Sequence, residues 1–319
     1  MKIIYGPLLL LMSLALCLFA AEAGFRFASG MGLLGSAAIE LESLAHQYAA
    51  DPELIYELKP LVHVQTKNMT VQTNSWGMRD EEVSLVKPPG VFRIAVLGDS
   101  VSFGFELPSH EATFAEILES RLNIQGKQKY EVLNFSVVGY NSEQEKIVLQ
   151  KKVAAFAPDV VVAGVCLNDD SAADGLGELT SQSAPWALGS RINSRLLSYL
   201  LNRLERVFFG ARKDLKRIES FLRALSNDAK AGKYKAVVLL FPYYFDDLNS
   251  YRRQAKHEAI HSLADRYGLP LIDYRDLWRD MLPAERRSLY SPADTVHFSA
   301  LGMQRIAQSL EEYFADRRG

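Results

Sequence analysis

The chain has 319 residues, of which 48% are hydrophobic and 23% are charged. This is enough apolar side chain to bury a full core, so the composition excludes an intrinsically disordered or fibrous protein. The formal net charge of -2 argues against a nucleic-acid partner, because such proteins carry a basic surplus that neutralises phosphates. The two cysteines, Cys17 and Cys166, provide neither a disulfide framework nor a cysteine-rich metal site.

The first predicted element is an apolar run over residues 3–21, which matches the length of a helix that crosses a bilayer. Lys2 precedes the run and Glu22 follows it, a polarity that favours an amino terminus inside and the remaining chain outside. Ala21-Glu22-Ala23 also has the small-x-small form of a signal-peptidase site. Residues 1–23 are therefore predicted to be a transmembrane anchor or a signal peptide, and both interpretations export the rest of the chain.

Residues 24–90 are predicted to form a lead-in segment before the main domain. Four apolar residues recur at helical spacing and predict a helix that ends near Asp51-Pro52. These residues are Ile39, Leu41, Leu44 and Tyr48. Apolar and polar side chains then alternate over residues 61–73, which predicts a small hairpin. The break at Lys87-Pro88-Pro89-Gly90 marks the start of a domain that spans residues 91–319.

Short apolar runs bounded by turn signals predict buried strands in this domain. They cover residues 93–97, 130–135, 159–165, 235–241 and 269–273. Amphipathic helical patterns alternate with them, over residues 113–123, 142–156, 212–230, 252–267 and 299–314. Strands that alternate with helices predict a parallel sheet covered by helices on both faces, with right-handed crossovers. In such folds the functional groups gather at the carboxyl ends of the strands.

An irregular insertion over residues 171–210 interrupts this alternation and is predicted to end in a helix. Basic side chains outnumber acidic ones over residues 191–235. Two interpretations stay open: an amphipathic cover helix with a solvated basic face, and a face that docks on an anionic polymer or on lipid headgroups.

Distinctive polar residues follow three of the predicted strands. Gly98-Asp99-Ser100 follows the first strand, Gly139 lies after the second and Asn168 after the third. Asp294-Thr-Val-His297 stands just before the last predicted helix. In this order, these motifs resemble the nucleophile, glycine, asparagine and acid-base blocks of the SGNH hydrolase (GDSL esterase) family.

This resemblance implies a three-layer α/β/α, flavodoxin-like fold with a five-stranded parallel sheet in strand order 2-1-3-4-5. It also implies chemistry on acyl esters with no metal and no other cofactor. Upstream, the stretch from Asn74 through Gly77 and Arg79 to Asp80 is similar to the Asn-Ser-x-Gly-Phe-Arg stretch that precedes the catalytic domain in many exported bacterial members.

The chemistry of these residues points the same way. A serine hydroxyl is a poor nucleophile at neutral pH unless a base removes its proton, and histidine has the right basicity. Ser100, His297 and Asp294 are therefore the candidate triad, because one turn of chain can bring the carboxylate to the imidazole. The candidate oxyanion hole consists of the backbone N–H groups of Ser100 and Gly139 and the side-chain amide of Asn168. Asp99 receives no catalytic role, and we expect it to brace the nucleophile loop.

A second motif, His257-Glu258-Ala-Ile-His261, has the His-Glu-x-x-His form of zinc metallopeptidases. Glu285 lies downstream, where a third ligand could sit. The motif has only three fixed positions, and it lies on the predicted helix between the fourth and fifth strands. A zinc site there leaves every strand-end residue without a role, so we do not adopt it and predict no metal site.

These residues together predict a serine esterase that hydrolyses O-acyl esters, and O-acetyl esters above all, on envelope or extracellular carbohydrate through an acyl-Ser100 intermediate. Two alternatives stay open: an O-acyltransferase that uses the same acyl-serine, and a non-catalytic envelope binding module. The expected partners are an acylated carbohydrate or small ester and, through the N-terminal helix, the membrane. The expected location is the cell membrane with the catalytic domain in the periplasm, or the periplasm or exterior after cleavage near Ala23.

Overall fold

The computed structural model describes residues 13, 16–17, 19–24, 41, 44–66, 69–124, 126, 128–170, 215–248, 251 and 253–316. The chain divides into two compact units, Met1–Leu44 with Asp174–Arg212 and Ala45–Ala173 with Lys213–Gly319, and all the strands below belong to the second unit. The predicted insertion at 171–210, most of the segment at 1–23 and residues 191–214 of the basic stretch lie outside the described residues. Among the described residues, no helix combines the length and the apolar character that crossing a membrane requires.

Two short antiparallel hairpins precede the main sheet. Their strands are β1 (His46–Tyr48) with β2 (Tyr56–Leu58), and β3 (His63–Gln65) with β4 (Thr70–Gln72). In the second hairpin Val64 lies opposite Val71, which confirms the hairpin predicted from the alternation over residues 61–73.

The helix predicted to end near Asp51-Pro52 is wrong at its carboxyl end. Residues 41, 44 and 45 are helical, but residues 46–48 form β1. Antiparallel pairing with β2 satisfies the backbone groups of β1, while Tyr56 and Leu58 of β2 are buried. This tertiary pairing overrides the helical spacing of the apolar residues.

The central sheet has five parallel strands. They are β5 (Val91–Leu97), β6 (Lys129–Asn134), β7 (Val160–Cys166), β8 (Lys235–Phe241) and β9 (Leu271–Asp273). Their spatial order is β6-β5-β7-β8-β9, which confirms the expected order 2-1-3-4-5. The register places Ala95 opposite Leu133 on one side and Val161 on the other. All five carboxyl ends therefore lie along one edge of the sheet.

Eight helices connect and follow these strands in the part of the chain that the structure describes. They are α1 (Ser100–Phe103), α2 (Phe114–Ile124), α3 (Ser142–Lys151), α4 (Lys216–Lys230), α5 (Gln254–Tyr267), α6 (Tyr274–Leu277), α7 (Pro283–Ser288) and α8 (Ala300–Ala315). The helix predicted over residues 142–156 is divided, because α3 ends at Lys151 and a 3-10 turn follows at Val153–Phe156. Pro158 disfavours helical geometry at Ala157, which has φ of 48°, and the helical segment ends at Phe156.

Helices cover both faces of the sheet. Ile94 and Val96 share one hydrophobic cluster with Leu118 of α2 and Ile306 of α8. The intervening strand residues, such as Ala95, are also buried, and α3, α4 and α5 pack against one another. Burial on both faces explains why the strands are continuous apolar runs rather than alternating patterns.

Candidate active site

The nucleophile candidate lies in a tight turn where β5 passes directly into α1. Asp99 is the N-cap of α1, and its Oδ1 accepts the backbone N–H of Val101 at 2.9 Å. Glycine is required at position 98, because a Cβ there would collide with Oγ of the buried Ser102. The turn therefore presents Ser100 at the carboxyl edge of the sheet with its hydroxyl partly exposed.

A buried arginine upstream braces this turn from below. Arg79 is 1% exposed, and its Nη1 donates to the carbonyl oxygens of Phe103 at 3.0 Å and Gly104 at 2.7 Å. Its Nη2 donates to the carbonyls of Thr70 and Leu107 at 3.0 and 3.2 Å. A buried cation is costly unless it is hydrogen-bonded, so a movement that broke these bonds would be unfavourable. The bonds therefore hold β4 and the segment after α1 in one arrangement. The Asn74–Asp80 stretch was assigned no such role from the sequence.

The triad candidates form one hydrogen-bonded chain. Asp294 Oδ1 accepts the backbone N–H groups of Val296 and His297, both at 2.8 Å, which folds the motif into a tight local turn. Asp294 Oδ2 then lies 2.5 Å from His297 Nδ1, and His297 Nε2 lies 2.9 Å from Ser100 Oγ. The ring of Phe105 packs on the imidazole, with the two centroids 4.9 Å apart. The structure thus brings together all three residues that the sequence singles out.

The pKa values of the two aspartates near Ser100 are shifted in opposite directions. Partial burial alone would raise the pKa of Asp294, but the hydrogen bond to His297 and the positive charge of that ring lower this pKa to about 2. Asp294 is therefore ionised at neutral pH and can stabilise an imidazolium. Asp99 is 1% exposed, and burial raises its pKa although the backbone N–H of Val101 acts in the opposite direction.

The oxyanion-hole candidates lie around the same serine. The backbone N–H groups of Ser100 and Gly139 meet no acceptor among the described residues, so both can bind a substrate oxygen. Gly139 has φ of 80°, a conformation that favours glycine. The Asn168 amide nitrogen donates to Asp99 Oδ2 at 3.2 Å, which leaves its second hydrogen for another acceptor. Ser100, Gly139 and Asn168 are the three donors expected from the sequence.

The comparison with known families agrees with this geometry. The sequence matches the GDSL-like Lipase/Acylhydrolase family over residues 96–305, a span that includes the triad and oxyanion-hole candidates. The chain belongs to this family. It is an enzyme that hydrolyses ester bonds. None of the curated protein sequences compared with the hydrolase matches it.

Several solved structures are similar to the hydrolase. TesA has 16% identical residues and a TM-score of 0.45, with 68% of this chain and 95% of that chain covered. An acetyl xylan esterase, AlAXEase, has 16% identity and a TM-score of 0.48, with 70% and 99% covered. Axe2, an acetylxylan esterase from Geobacillus stearothermophilus, has 14% identity and a TM-score of 0.46, with 69% and 92% covered.

Two residues at the edge of the hydrolase site were missed by sequence reasoning. Tyr243 follows β8, and its hydroxyl donates to Asn168 Oδ1 at 3.3 Å. Glu106 accepts a hydrogen bond from Ser291 Oγ at 2.5 Å. A carboxylate oxygen of Glu106 also lies within 4.8 Å of a carboxylate oxygen of Asp294 and a ring nitrogen of His297. Functional groups are expected at the carboxyl ends of the strands, which is where Tyr243 lies, but a lone tyrosine has no diagnostic spacing in the sequence. Glu106 has φ of 66°, which no sequence signal indicates.

Buried acids lie on the inner side of the hydrolase site. Glu145 of α3 and Asp169 after β7 are both fully buried. Burial raises the pKa of each well above its usual range, and the charge of Asp99 raises both further. The environment therefore favours neutral carboxyls behind the nucleophile, in contrast to the ionised Asp294 in front of it.

The His-Glu-x-x-His motif of α5 does not form a site with two free histidines. His257 is fully buried, with Nε2 at 2.8 Å from Asp273 Oδ1 and Nδ1 at 3.2 Å from the Tyr251 hydroxyl. Both of its ring nitrogens are thus already bonded. His261 is partly exposed and lies near Asp273, and Glu285 accepts the backbone N–H of Leu282 at the start of α7. The donor set of the motif does not fit a zinc site that needs both histidines.

Proposed function

We propose that the hydrolase is a serine esterase in which Ser100 is the nucleophile, His297 the general base and Asp294 its orienting acid. The observation that carries this proposal is the continuous chain from Ser100 Oγ to His297 Nε2, at 2.9 Å, and from His297 Nδ1 to Asp294 Oδ2, at 2.5 Å. Ser100 Oγ attacks the ester carbonyl as its proton moves to His297. The ionised Asp294 then stabilises the imidazolium that this transfer creates.

The negative oxygen of the tetrahedral intermediate requires donors that are already in place. The N–H groups of Ser100 and Gly139 and the amide of Asn168 would supply them. The loss of one such donor typically raises the activation barrier by about 3 kcal/mol. As the intermediate collapses, the ester C–O bond breaks and His297 gives its proton to the leaving alcohol. Water, activated by the same imidazole, then attacks the acyl-Ser100 ester and releases the acid.

The substrate that we propose is an O-acyl ester, in particular an O-acetyl ester, on carbohydrate of the cell envelope or exterior. The partly exposed side chains of Glu106, Asn168 and Tyr243 support this choice, because they are polar groups at the Ser100 edge that can bond hydroxyls of a sugar. The test is the purified full chain with acetylated oligosaccharides and with long-chain lipid esters. A clear preference for the lipid esters would contradict the substrate proposal without affecting the triad.

The triad is tested with a short-chain aryl ester, since such a substrate needs no binding beyond the reacting carbonyl. We expect Ser100→Ala to lower kcat by at least about 10⁴-fold and to abolish labelling by a fluorophosphonate. Ser262→Ala is the matched control, because Ser262 is an exposed serine of α5 that donates to the carbonyl of Glu258. Full turnover by Ser100→Ala would overturn the mechanism.

We also propose that residues 1–23 export the rest of the hydrolase, which then comprises a lead-in segment to residue 90 and a catalytic domain from residue 91. The apolar run at 3–21, between Lys2 and Glu22, supports export. Amino-terminal sequencing of the protein from cell membranes distinguishes the two forms. An intact Met1 indicates an anchor and a start near Gly24 indicates a cleaved signal, whereas protease resistance of the catalytic domain in spheroplasts would contradict export.

A further inference from the structure

The peptide bond between Val138 and Gly139 carries one of the proposed oxyanion donors, the N–H of Gly139. The carbonyl of this same peptide unit accepts a hydrogen bond from the buried hydroxyl of Tyr56, at 3.1 Å. In a planar trans peptide the C=O and N–H groups point in opposite directions within one plane. Any contact that fixes the Val138 carbonyl therefore also fixes the direction of the Gly139 N–H.

Tyr56 is itself held firmly. It is fully buried in β2, and its own carbonyl accepts the hydroxyl of Tyr140 at 2.7 Å. The two tyrosine rings pack with centroids 5.2 Å apart. The amide nitrogen of Gln144 donates to the carbonyl of Leu54 at 2.8 Å, which ties the start of α3 to the same hairpin. Hydrogen bonds from the first hairpin thus reach both ends of the segment 138–144.

The local backbone shows how closely the two segments are fitted. Ile55, which precedes Tyr56, has φ of 68°, a left-handed conformation that is strained for a β-branched residue. Gly139 has φ of 80°, and a Cβ there would come 2.8 Å from the Tyr56 hydroxyl oxygen. Such strain persists only where surrounding contacts determine it, and Ile55 lies between Leu54, which accepts from Gln144, and Tyr56, which donates to the Val138 carbonyl.

We propose that Tyr56 is a positioning residue for the oxyanion hole, an inference that rests on the proposed function. Its hydroxyl holds the Val138 carbonyl so that the Gly139 N–H faces the oxygen of the tetrahedral intermediate. The first hairpin then belongs to the active-site scaffold, although it precedes the sheet and contains no catalytic group. Without the hydroxyl, the peptide can tilt and its N–H loses alignment when negative charge develops.

The decisive variant is Tyr56→Phe in the full chain, because it removes only the hydroxyl. We expect kcat for an aryl ester to fall about tenfold with KM within about twofold, as for an interaction made in the transition state. Rates are expressed per site titrated with a fluorophosphonate, so that only folded, competent enzyme is counted. Tyr274→Phe is the matched control, since it removes another buried tyrosine hydroxyl, which contacts Ser309 Oγ at 2.8 Å.

A second readout separates positioning from a general structural effect. An aryl trifluoromethyl ketone forms a hemiketal with Ser100: an Oγ–C bond forms, the serine proton moves to His297, and the former carbonyl oxygen becomes an anion. We expect Tyr56→Phe to weaken inhibition by this ketone by the same factor as it lowers kcat/KM, and Tyr274→Phe to leave it unchanged. Equal losses in both variants would show that a buried hydroxyl matters only for stability, and would overturn the proposal.

Gly139→Ala gives a second route to the same peptide, because its Cβ displaces the Tyr56 hydroxyl. If both changes act through one peptide, the loss in Tyr56→Phe/Gly139→Ala is smaller than the product of the single losses. Independent losses would contradict the inference. If Ser100→Ala abolishes turnover while Tyr56→Phe is unchanged, only the role of Tyr56 fails; if Ser100→Ala stays active, the proposed mechanism itself fails.

Discussion

Two histidine–aspartate pairs in the described part of the hydrolase combine a close contact with a second bond from the histidine ring, and their surroundings differ. His297 and Asp294 approach to 2.5 Å, with 16% and 34% of their side chains exposed. His257 and Asp273 approach to 2.8 Å, with only 0% and 6% exposed. In both pairs burial raises the pKa of the aspartate, but the histidine and neighbouring groups together lower this pKa below its ordinary value. The pairs differ in what the second ring nitrogen contacts.

That second contact decides what each pair can do. His297 presents Nε2 to Ser100, a partly exposed serine beside backbone N–H groups that meet no acceptor in the described part of the chain. His257 presents Nδ1 to the buried hydroxyl of Tyr251, where no substrate can reach. A histidine–aspartate pair is therefore catalytic only where a nucleophile and solvent-accessible space complete it.

The largest expected effect is on catalysis at the first pair. Asp294→Asn should lower kcat about 10³-fold, because an amide can neither hold the imidazole in its productive tautomer nor stabilise the imidazolium. Steady-state kinetics with an aryl ester, corrected for folded protein by circular dichroism, measure the loss. We expect only a small change in thermal stability, since Asp294 is partly exposed. A variant within tenfold of the original rate would mean that Asp294 does not support His297.

The second pair should respond in the opposite way. Asp273→Asn removes the charge partner of the buried His257, and breaking such a pair costs about 3 kcal/mol of unfolding free energy. Chemical denaturation measures that loss. The rate per folded molecule should stay within about twofold, because this pair does not contact Ser100. A large loss of kcat with unchanged stability would reverse the roles that we assign.

The acid dependence of stability gives a finer version of this comparison. Burial raises the pKa of Asp273 in the folded protein, but the hydrogen bond and charge of His257, together with Arg275, lower it below its ordinary value of 3.8. Its stabilising contribution is thus fully present above about pH 4 and is lost as the pH falls through the lower folded pKa. Denaturation at a series of pH values should show Asp273→Asn approaching the original protein below pH 4. A stability gap that widens on acidification would contradict this sign.

Sequence reasoning found the parts of the site that have local or family signals. The strands are continuous apolar runs between turn residues, and Asp294 and His297 lie three residues apart within one turn. Ser100 and His297 are 197 residues apart, and only the order of the motifs connected them. A single sequence therefore predicts the strand order of the sheet, and it selects three candidate triad residues that lie within hydrogen-bond distance of one another.

The supporting contacts were not predictable in this way. Tyr56 is 82 residues from Val138 and bonds to a backbone carbonyl, which any residue type offers. Arg79 likewise bonds only to carbonyls. Such contacts leave no spacing pattern, because the partner contributes its main chain rather than a particular side chain. The same reason explains the error at residues 46–48, where pairing with β2 outweighed local helical spacing.

The smallest expected effect concerns the zinc motif that overlaps the second pair. His261 is partly exposed on α5. His261→Ala should therefore change kcat by no more than about twofold and the free energy of unfolding by no more than about 0.5 kcal/mol. A zinc enzyme that used this motif would need His261 as a ligand, and its loss would cost most of the activity. The assay includes a strong chelator and zinc re-addition for both proteins. A large loss of activity in His261→Ala, together with chelator inhibition of the unmodified protein and its recovery with zinc, would place the chemistry on α5 rather than at Ser100. Unchanged turnover under all these conditions leaves His257 and Asp273 as a structural pair.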